Sequence, residues 1–281
     1  MINVGLAGWG DHDDLYPQGT RAKDKLSLYA SHFNTVECDS TFYAIPTESV
    51  VARWIEAVPP EFGFVVKAYQ GMTGHRNYKP HFNTAKEMFE AFLQMVSPIK
   101  DAGKLAAVLV QVPPWFDCSR LHVDILRRSR EWLQDVPVAL EFRHQSWFEG
   151  EMRERTLSFM KDEQWIHSVC DEPQVSEGSV PIVLEATDQE MTLVRFHGRN
   201  DAGWLKQDDK DWREVRYLYR YSEDELKEWA QRVRLLEQQS KRVVVVFNNN
   251  SGGDAAANAK QFMQLLGQNA APMAPKQLSL F

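Results

Sequence analysis

The sequence predicts a (β/α)8 barrel, also called a TIM barrel. Eight short runs of β-branched or apolar residues recur along the chain, and helix-patterned stretches separate them. Parallel strands need helical crossovers, and eight such alternations over about 250 residues match the usual size of this barrel. A doubly wound open sheet is the alternative that the alternation leaves open. We expect one α/β barrel domain over residues 1–267.

The predicted strands span residues 2–7, 35–39, 63–67, 105–112, 136–142, 165–170, 192–197 and 242–247. Residues 172–189, after strand six, show no helical period and only a strand-like stretch at 181–185, so the barrel is expected to be irregular there. From Gly267 onward the pattern gives way to polar, Ala- and Pro-containing sequence, which predicts a flexible tail over residues 268–281.

The predicted helices rest on apolar residues at helical spacing between these strands. Such spacing is clear at residues 26–33, 50–55 and 88–93. Ser222 with Glu225 three residues later forms a capping box, which predicts the start of the helix before strand eight. A last helix is expected over residues 254–266, with Asp254 as a candidate N-cap.

Composition excludes several classes of protein. The chain of 281 residues has a formal net charge of −7, which excludes a generally basic, DNA-coating protein. It contains no apolar run long enough for a membrane span and no signal peptide, so we expect a soluble, cytoplasmic protein. The three distant cysteines, Cys38, Cys118 and Cys170, argue against a disulfide framework.

Nearly every predicted strand ends in a polar side chain. The carboxyl ends of barrel strands form the usual active-site mouth, so these side chains are expected to converge. Taken singly, each is explained by structure or surface exposure, but as a set they indicate a ligand site. The set is Glu37, Asp39, Lys67, Gln111, Glu141, Arg143, Arg195, His197 and Asn248.

Aromatic residues follow several of the same strands. A ring of aromatic side chains above a polar floor suits stacking on bases or sugars, although the same rings can instead pack the loops. They are Trp9, Phe42, Tyr43, Trp115, Phe116, Trp147, Phe148 and Trp204. Of these, Trp9, Tyr43 and Trp147 are predicted to contact the ligand.

Glycine- and asparagine-rich loops after strands seven and eight indicate a phosphate site. Such loops expose backbone N–H groups, and a following helix N-terminus favours an anion. Arg199, Asn248 and Asn249 lie in these loops, and Arg195 and Lys67 are expected nearby. Asp254 opposes an anion at that helix start.

We predict metal-independent chemistry without a cofactor. The eight histidines are scattered, only His197 falls confidently on an inward strand end, and nearby cations oppose a divalent ion. Glu37 and Glu141 are candidates for an acid/base pair, although neighbouring cations would keep either ionised. His197 is the better predicted proton carrier near neutral pH.

An ordered set of motifs runs along the whole barrel. The stretches are 8–9, 36–43, 64–67, 111–114, 141–147, 195–199 and 247–250, with Pro46, Asn258 and Ala259. Taken together they resemble the YecE-like family of uncharacterised TIM-barrel proteins, domain of unknown function 72. The resemblance covers about residues 2–267 and implies the barrel, but no reaction. The family barrel is similar to endonuclease IV-type barrels, which suggests DNA, yet this sequence lacks their multi-histidine metal set.

The last five residues form a separate motif. Gln277, Leu278, Ser279, Leu280 and Phe281 resemble the pentapeptide by which bacterial polymerases and repair proteins bind the sliding clamp. The glutamine suits a hydrogen bond at a pocket rim, while the apolar side chains suit hydrophobic subsites. Docking of Leu280 and Phe281 onto the barrel itself, or a frayed end, is the alternative.

Three functional hypotheses follow. The first is a clamp-associated replication or repair protein whose barrel mouth binds or processes DNA or another phosphate-containing ligand. The second is a hydrolase- or isomerase-like enzyme for a sugar or sugar phosphate, and the third is a noncatalytic binding module. No membrane partner is expected, and the oligomeric state is left open.

Overall fold

The structure, a computed structural model, describes residues 1–175, 178–205 and 215–271. Eight parallel strands form a closed barrel in sequence order, so the predicted TIM barrel is confirmed and the open sheet is wrong. Closure comes from pairing of the first and last strands over five residues, from Ile2 with Val243 to Leu6 with Phe247. The strands are β1 (Ile2–Ala7), β2 (Thr35–Cys38), β3 (Gly63–Lys67), β4 (Leu105–Gln111), β5 (Val138–Glu141), β6 (Ile166–Asp171), β7 (Met191–Phe196) and β8 (Arg242–Phe247).

Helices cover the outside of the barrel. Three 3₁₀ turns, Asp13–Leu15, Ala22–Asp24 and Gln145–Trp147, lie in the loops. The predicted capping box is confirmed, since Ser222 and Glu225 exchange both hydrogen bonds. The helices are α1 (Lys25–Tyr29), α2 (Ser40–Tyr43), α3 (Glu48–Glu56), α4 (Ala85–Asp101), α5 (Arg120–Leu133), α6 (Met152–Asp162), α7 (Asp201–Trp204), α8 (Glu223–Glu237) and α9 (Ala255–Leu265).

The connection from β6 to β7 is irregular, as predicted. Within its described residues it contains neither a helix nor a strand, so the strand-like stretch at 181–185 does not pair. This connection nevertheless packs apolar side chains against the barrel, because Val180 and Val183 are buried. Glu172 fixes the segment by accepting a hydrogen bond from the backbone N–H of Val180 at 2.8 Å.

The apolar core has two layers. The barrel interior is filled by side chains that include Val65, Leu109, Ala139 and Leu193, while a larger outer core lies between strands and helices. Burial of both faces explains why the strands read as continuous apolar runs in the sequence. The carboxyl end of the interior is polar, and this end carries the candidate site.

Two further expectations concern membrane-spanning segments and the C-terminal pentapeptide. Within residues 1–175, 178–205 and 215–271, no helix combines the length and apolarity needed to cross a membrane. The pentapeptide of residues 277–281, together with most of the predicted tail, lies outside the described residues.

Candidate functional site

A cleft of about 790 Å³ opens at the carboxyl ends of the strands. Six of the predicted site residues line it: Asp39, Tyr43, Lys67, Gln111, Arg143 and Asn248. The other residues that line it come from the connections between the strands, including α2, and are Asp11, Phe42, Gln70, His75, Arg76, Val112, Pro114, Arg216 and Tyr217.

Beneath the cleft, Arg195 joins two buried carboxylates. It donates through Nε to Glu37 at 2.8 Å and through Nη2 to the second Glu37 oxygen at 2.6 Å. Its Nη1 donates to Glu141 at 2.6 Å. All three side chains are fully buried, so each charge depends on its partner.

Arg143 forms a second fork between this layer and the cleft. Its Nη2 lies 2.6 Å from Glu141 and its Nη1 donates to Glu172 at 2.9 Å. Gln111 donates to the same Glu141 oxygen at 2.8 Å. Glu172 was not among the predicted site residues, although it directly follows the end of β6, the kind of strand-end position that predicted the others.

His197 is held between cations. Its Nε2 lies 3.0 Å from Nη2 of Arg143 and 3.2 Å from Nη1 of Arg195, and its Nδ1 lies 3.0 Å from the Asn248 amide. Burial and the two guanidinium charges hold the pKa of His197 well below its ordinary value. This lowered pKa contradicts the predicted role of His197 as a proton carrier near neutral pH; the ring is a neutral acceptor for arginine N–H groups.

The carboxyl groups of the network differ in their pKa values. Burial favours the neutral form of Glu141, but Arg195 and Arg143 outweigh it and hold its pKa well below the ordinary value. Burial raises the pKa of Glu37 to about 7 despite Arg195. It also raises the pKa of Glu172 to about 7 despite Arg143. At Asp39, burial is outweighed by Lys67 and Arg195, so its pKa is lowered.

This geometry contradicts the predicted acid/base pair of Glu37 and Glu141. The guanidinium of Arg195 binds both carboxylates at once, so it occupies the space where a scissile bond would have to lie. Neither carboxylate lines the cleft, and Glu141 has too low a pKa to donate a proton as a general acid.

One group of side chains has the spacing of a metal site. Donor atoms of Glu141, Cys170 and His197 lie within 4.8 Å of one another. The set does not fit a divalent ion, because Arg143 and Arg195 already donate to Glu141 and lie against His197. Burial also raises the pKa of the Cys170 thiol well above its ordinary value, which disfavours the thiolate that a metal requires.

Five predicted ligand-binding residues are not in the cleft lining: Trp9, Trp147, Arg195, Arg199 and Asn249. Arg199 pairs with Asp171 at 3.0 Å and with Glu225 at 3.2 Å, so it ties β6 to the start of α8. Asn249 is buried and donates to Asn258 at 3.0 Å, which fixes the loop after β8 to α9. The phosphate site predicted at these loops depended on Arg195, Arg199 and Lys67. Because Arg195 and Arg199 are both held in buried or half-buried ion pairs, two of these three cations do not face a ligand.

The aromatic rim is smaller than the sequence suggested. Trp147 is 1% exposed, stacks on Phe142 and donates its indole N–H to a backbone carbonyl, so it belongs to the core. Trp9 packs edge-on against Trp54 with ring centroids 5.3 Å apart. Phe116, Phe148 and Trp204 are also buried. Of the eight predicted rim aromatics, Phe42 and Tyr43 line the cleft.

The residues missed by sequence reasoning lie on loops. His75 and Arg76 come eight and nine residues after the end of β3, and Arg216 and Tyr217 come twenty and twenty-one residues after the end of β7. The strand-end rule reaches only a few residues beyond each strand, so it gave no signal for them. The Thr73–Arg76 stretch follows Gly71, and Gly74 has a φ of +79°, which is easily adopted only by glycine.

Known proteins are similar in sequence to this chain over most or all of its length. A family model described as a protein of unknown function, DUF72, matches residues 3–279. The UPF0759 protein YunF of Bacillus subtilis (strain 168) is 55% identical over 282 residues and covers 100% of both chains. The UPF0759 protein YecE of Escherichia coli (strain K12) is 27% identical over 224 residues, which are 72% of this chain and 75% of that protein.

Solved structures agree with the fold. A crystal structure of a DUF72 family protein from Enterococcus faecalis V583 has a TM-score of 0.91 and 39% identity, and it covers 99% of this chain and 100% of its own. A DUF72 family protein from Thermotoga maritima MSB8 has a TM-score of 0.80 and 31% identity, with 95% of this chain and 100% of its own covered. The described architecture is therefore shared by these similar proteins.

Proposed function

This chain belongs to the DUF72 family, whose description gives no function, and we propose that it binds a phosphate-bearing ligand, a nucleotide or nucleic-acid strand, in the cleft at the barrel mouth. The predicted resemblance to the YecE-like family is confirmed by the relatives named above.

The charge of the cleft carries this proposal. Four cationic side chains line it, Lys67, Arg76, Arg143 and Arg216, against two acidic ones, Asp11 and Asp39. The whole chain has a formal net charge of −7, so this excess of cations is local. A concave site whose lining has an excess of one sign of charge concentrates ligands of the opposite sign.

The remaining lining suits the rest of such a ligand. Phe42, Tyr43 and Tyr217 offer ring faces, and Gln70, Gln111 and Asn248 offer amide groups for polar ring edges. Lys67 lines the cleft with its ammonium 3.2 Å from Asp39 and 5.0 Å from the centre of the Phe42 ring, so an anionic ligand competes with Asp39 for this cation. Arg143 and Arg195 hold the buried carboxylates in ion pairs, so these carboxylates are not available as acid/base groups. This arrangement supports ligand binding more directly than it supports a hydrolytic reaction.

The test is binding of a short fluorescent single-stranded oligonucleotide, followed by anisotropy over a range of salt concentrations. Arg76→Gln and Lys67→Gln are each expected to weaken binding about tenfold and to lower the salt slope by about one. The matched control is Lys241→Gln, because Lys241 precedes β8 at the opposite end of the barrel and is 73% exposed. The wild-type protein's failure to bind, or unchanged binding by both cleft variants, contradicts the proposal.

Recovery of the oligonucleotide separates binding from processing. After long incubation with the protein, an intact strand supports a binding module, and a shortened strand supports a nuclease-like enzyme. A sugar or sugar phosphate that binds without dependence on Arg76 or Lys67 favours the small-molecule alternative.

A second candidate function rests on the sequence of the tail. We propose that Gln277, Leu278, Ser279, Leu280 and Phe281 bind the bacterial sliding clamp and so recruit the barrel to DNA during replication or repair. Tethering through a linker raises the local concentration of the cleft at DNA, which an acidic protein cannot achieve through a basic surface.

This candidate is tested by measuring the binding of the full chain to a purified, immobilised bacterial sliding clamp. The paired change Leu280→Ala and Phe281→Ala is expected to abolish binding, because it removes the apolar side chains that fill the subsites. Lys276→Ala, directly before the motif, is the control and is expected to bind as the wild type does. No binding by the wild-type chain rejects the clamp proposal and leaves the cleft proposal untouched.

A further inference from the structure

His75 lies in the wall of the cleft, away from the strand ends that supply most of the predicted site residues. It lies on the loop between β3 and α4 and lines the cleft beside Phe42, whose ring is edge-on at a centroid distance of 5.1 Å. Its Nδ1 lies 2.7 Å from the hydroxyl oxygen of Thr73. The residue is exposed, so the rest of its ring is open to the cleft.

The contacts of Thr73 favour the tautomer of His75 that carries its proton on Nδ1. The Thr73 hydroxyl donates to the backbone carbonyl of Gln70 at 3.3 Å, so its oxygen is left to accept from His75 Nδ1–H. A neutral imidazole with its proton on Nδ1 has its lone pair on Nε2. Among the residues that the structure describes, Nε2 of His75 has no hydrogen-bond partner.

The charges around the ring keep it neutral. Although His75 is exposed at the surface, the cleft walls displace part of the water around its ring; this desolvation, together with Lys67 and Arg143, lowers the pKa of His75 to about 4. The same two cations line the cleft and attract the anion that the ring then meets. An unpaired acceptor beside an anion-binding pair of cations suits a ligand that is anionic and still carries a donor hydroxyl.

We propose that Nε2 of His75 accepts a hydrogen bond from the protonated oxygen of a phosphate group, so that the cleft selects a terminal phosphate monoester over an internal phosphodiester. The second pKa of a monoester is about 6, so at about that pH a monoester still carries a P–O–H group, whereas a diester has none. This inference rests on the proposed function, since it specifies which phosphate the cleft binds.

The experiment compares inorganic phosphate with sulfate by isothermal titration calorimetry at about pH 6, where a phosphate monoester keeps a proton and the ring of His75 is neutral. The two anions have the same shape, but only phosphate carries a proton there. Wild-type protein is expected to bind phosphate about tenfold more tightly than sulfate. His75→Phe keeps the ring packing against Phe42 and is expected to lose this preference while its affinity for sulfate is unchanged. His81→Phe, an exposed histidine on the same loop, is the control.

The outcomes separate the two proposals. If phosphate and sulfate bind equally to the wild type, or if His75→Phe keeps the preference for phosphate, the role of His75 is rejected while the anion-binding cleft stands. If neither anion nor an oligonucleotide binds the wild type, the cleft proposal is overturned, and the role of His75 with it. In a second arm, a 5′-phosphorylated oligonucleotide is expected to bind more tightly than its unphosphorylated counterpart, with the difference absent in His75→Phe.

Discussion

Arg195 neutralises two carboxylates that the barrel cannot bury alone. Glu37 and Glu141 come from β2 and β5, on different sides of the barrel, and both reach the same guanidinium. An isolated buried carboxylate is very costly, and the fork of arginine supplies donors to two acceptors in one plane. The residue therefore holds the polar end of the barrel together as well as supporting Arg143 above it.

Arg195→Gln is expected to destabilise the fold by about 3–5 kcal/mol, because it leaves the buried Glu37 without its cation and the buried Glu141 with Arg143 alone. Urea unfolding followed by circular dichroism measures the change. Arg127→Gln, which removes an exposed pair with Glu163, is the control and is expected to cost at most about 1 kcal/mol. An Arg195→Gln protein as stable as this control would show that the carboxylates are not ionised in the fold.

Glu172 predicts a pH dependence whose sign follows from its raised pKa. Burial raises this pKa from 4.5 to about 7, so the folded state holds a proton that the unfolded state releases. The contribution favours folding at low pH and is lost as the pH rises through about 7. The free energy of unfolding of Glu172→Gln, relative to the wild type, is therefore expected to rise between about pH 5 and about pH 8 by up to about 3 kcal/mol.

Urea unfolding at a series of pH values measures this difference. The comparison with the wild type is essential, because His12, His167 and His197 have lowered pKa values and give the opposite slope below about pH 6.5. Glu131→Gln on the exposed side of α5 controls for the loss of one carboxyl group. A constant difference between Glu172→Gln and the wild type across this range would contradict the raised pKa.

At the scale of elements, a tyrosine hydroxyl bridges β1 and β2. Leu6 N–H donates to the hydroxyl of Tyr29 at 2.8 Å, and that hydroxyl donates to the carbonyl of Thr35 at 2.8 Å. A β-carbon on Gly5 would lie 2.1 Å from the same carbonyl oxygen. The short helix α1 is therefore fixed to the barrel through its last residue, and the two strands approach too closely for a side chain at position 5.

Tyr29→Phe is expected to cost about 2 kcal/mol in the free energy of unfolding, because it leaves the buried Leu6 N–H and Thr35 carbonyl without this partner. Tyr78→Phe removes a half-buried hydroxyl for which no hydrogen bond is found among the described residues, and it is expected to change stability by less than about 0.5 kcal/mol. Equal stability of the two variants would show that water or backbone shifts replace the bridge.

The elements were largely predictable, and the site only in part. Each strand is buried on both faces, so its apolar run is visible in the sequence within two residues of its observed bounds. The rule that the carboxyl ends of the strands meet at the barrel mouth correctly placed Lys67, Gln111 and Arg143 there. It could not distinguish Arg143, which lines the cleft, from Arg199, whose guanidinium is taken by Asp171 and Glu225. Pairing partners come from distant strands, and loop residues such as His75 follow no period.

At the scale of the whole molecule, the distribution of charge separates the cleft from the rest of the surface. The chain as a whole is acidic, while the cleft gathers Lys67, Arg76, Arg143 and Arg216 at one end of a closed barrel. Cations crowded in one cleft repel one another, so an anion that enters relieves this repulsion as well as making contacts. Occupancy should therefore be visible as stability of the entire fold.

Phosphate at about 100 times its dissociation constant is expected to stabilise the protein by about 2.7 kcal/mol through mass action. For a chain of this size that corresponds to a rise in Tm of roughly 5 °C. Thermal unfolding with increasing phosphate, at ionic strength held constant with chloride, measures the rise. Phosphate also stabilises proteins generally by exclusion from their surfaces, so the rise alone proves nothing about the cleft.

The paired change Arg76→Gln and Lys67→Gln separates the two effects. Exclusion acts on the whole surface and persists in this variant, whereas saturable binding to the cleft does not. The difference in Tm between wild type and variant is therefore expected to follow a saturation curve with phosphate concentration, and Lys241→Gln is expected to behave as the wild type. Parallel, linear rises in all three proteins would show that the cations of the cleft bind no anion, because a bound ligand must stabilise the fold to which it binds.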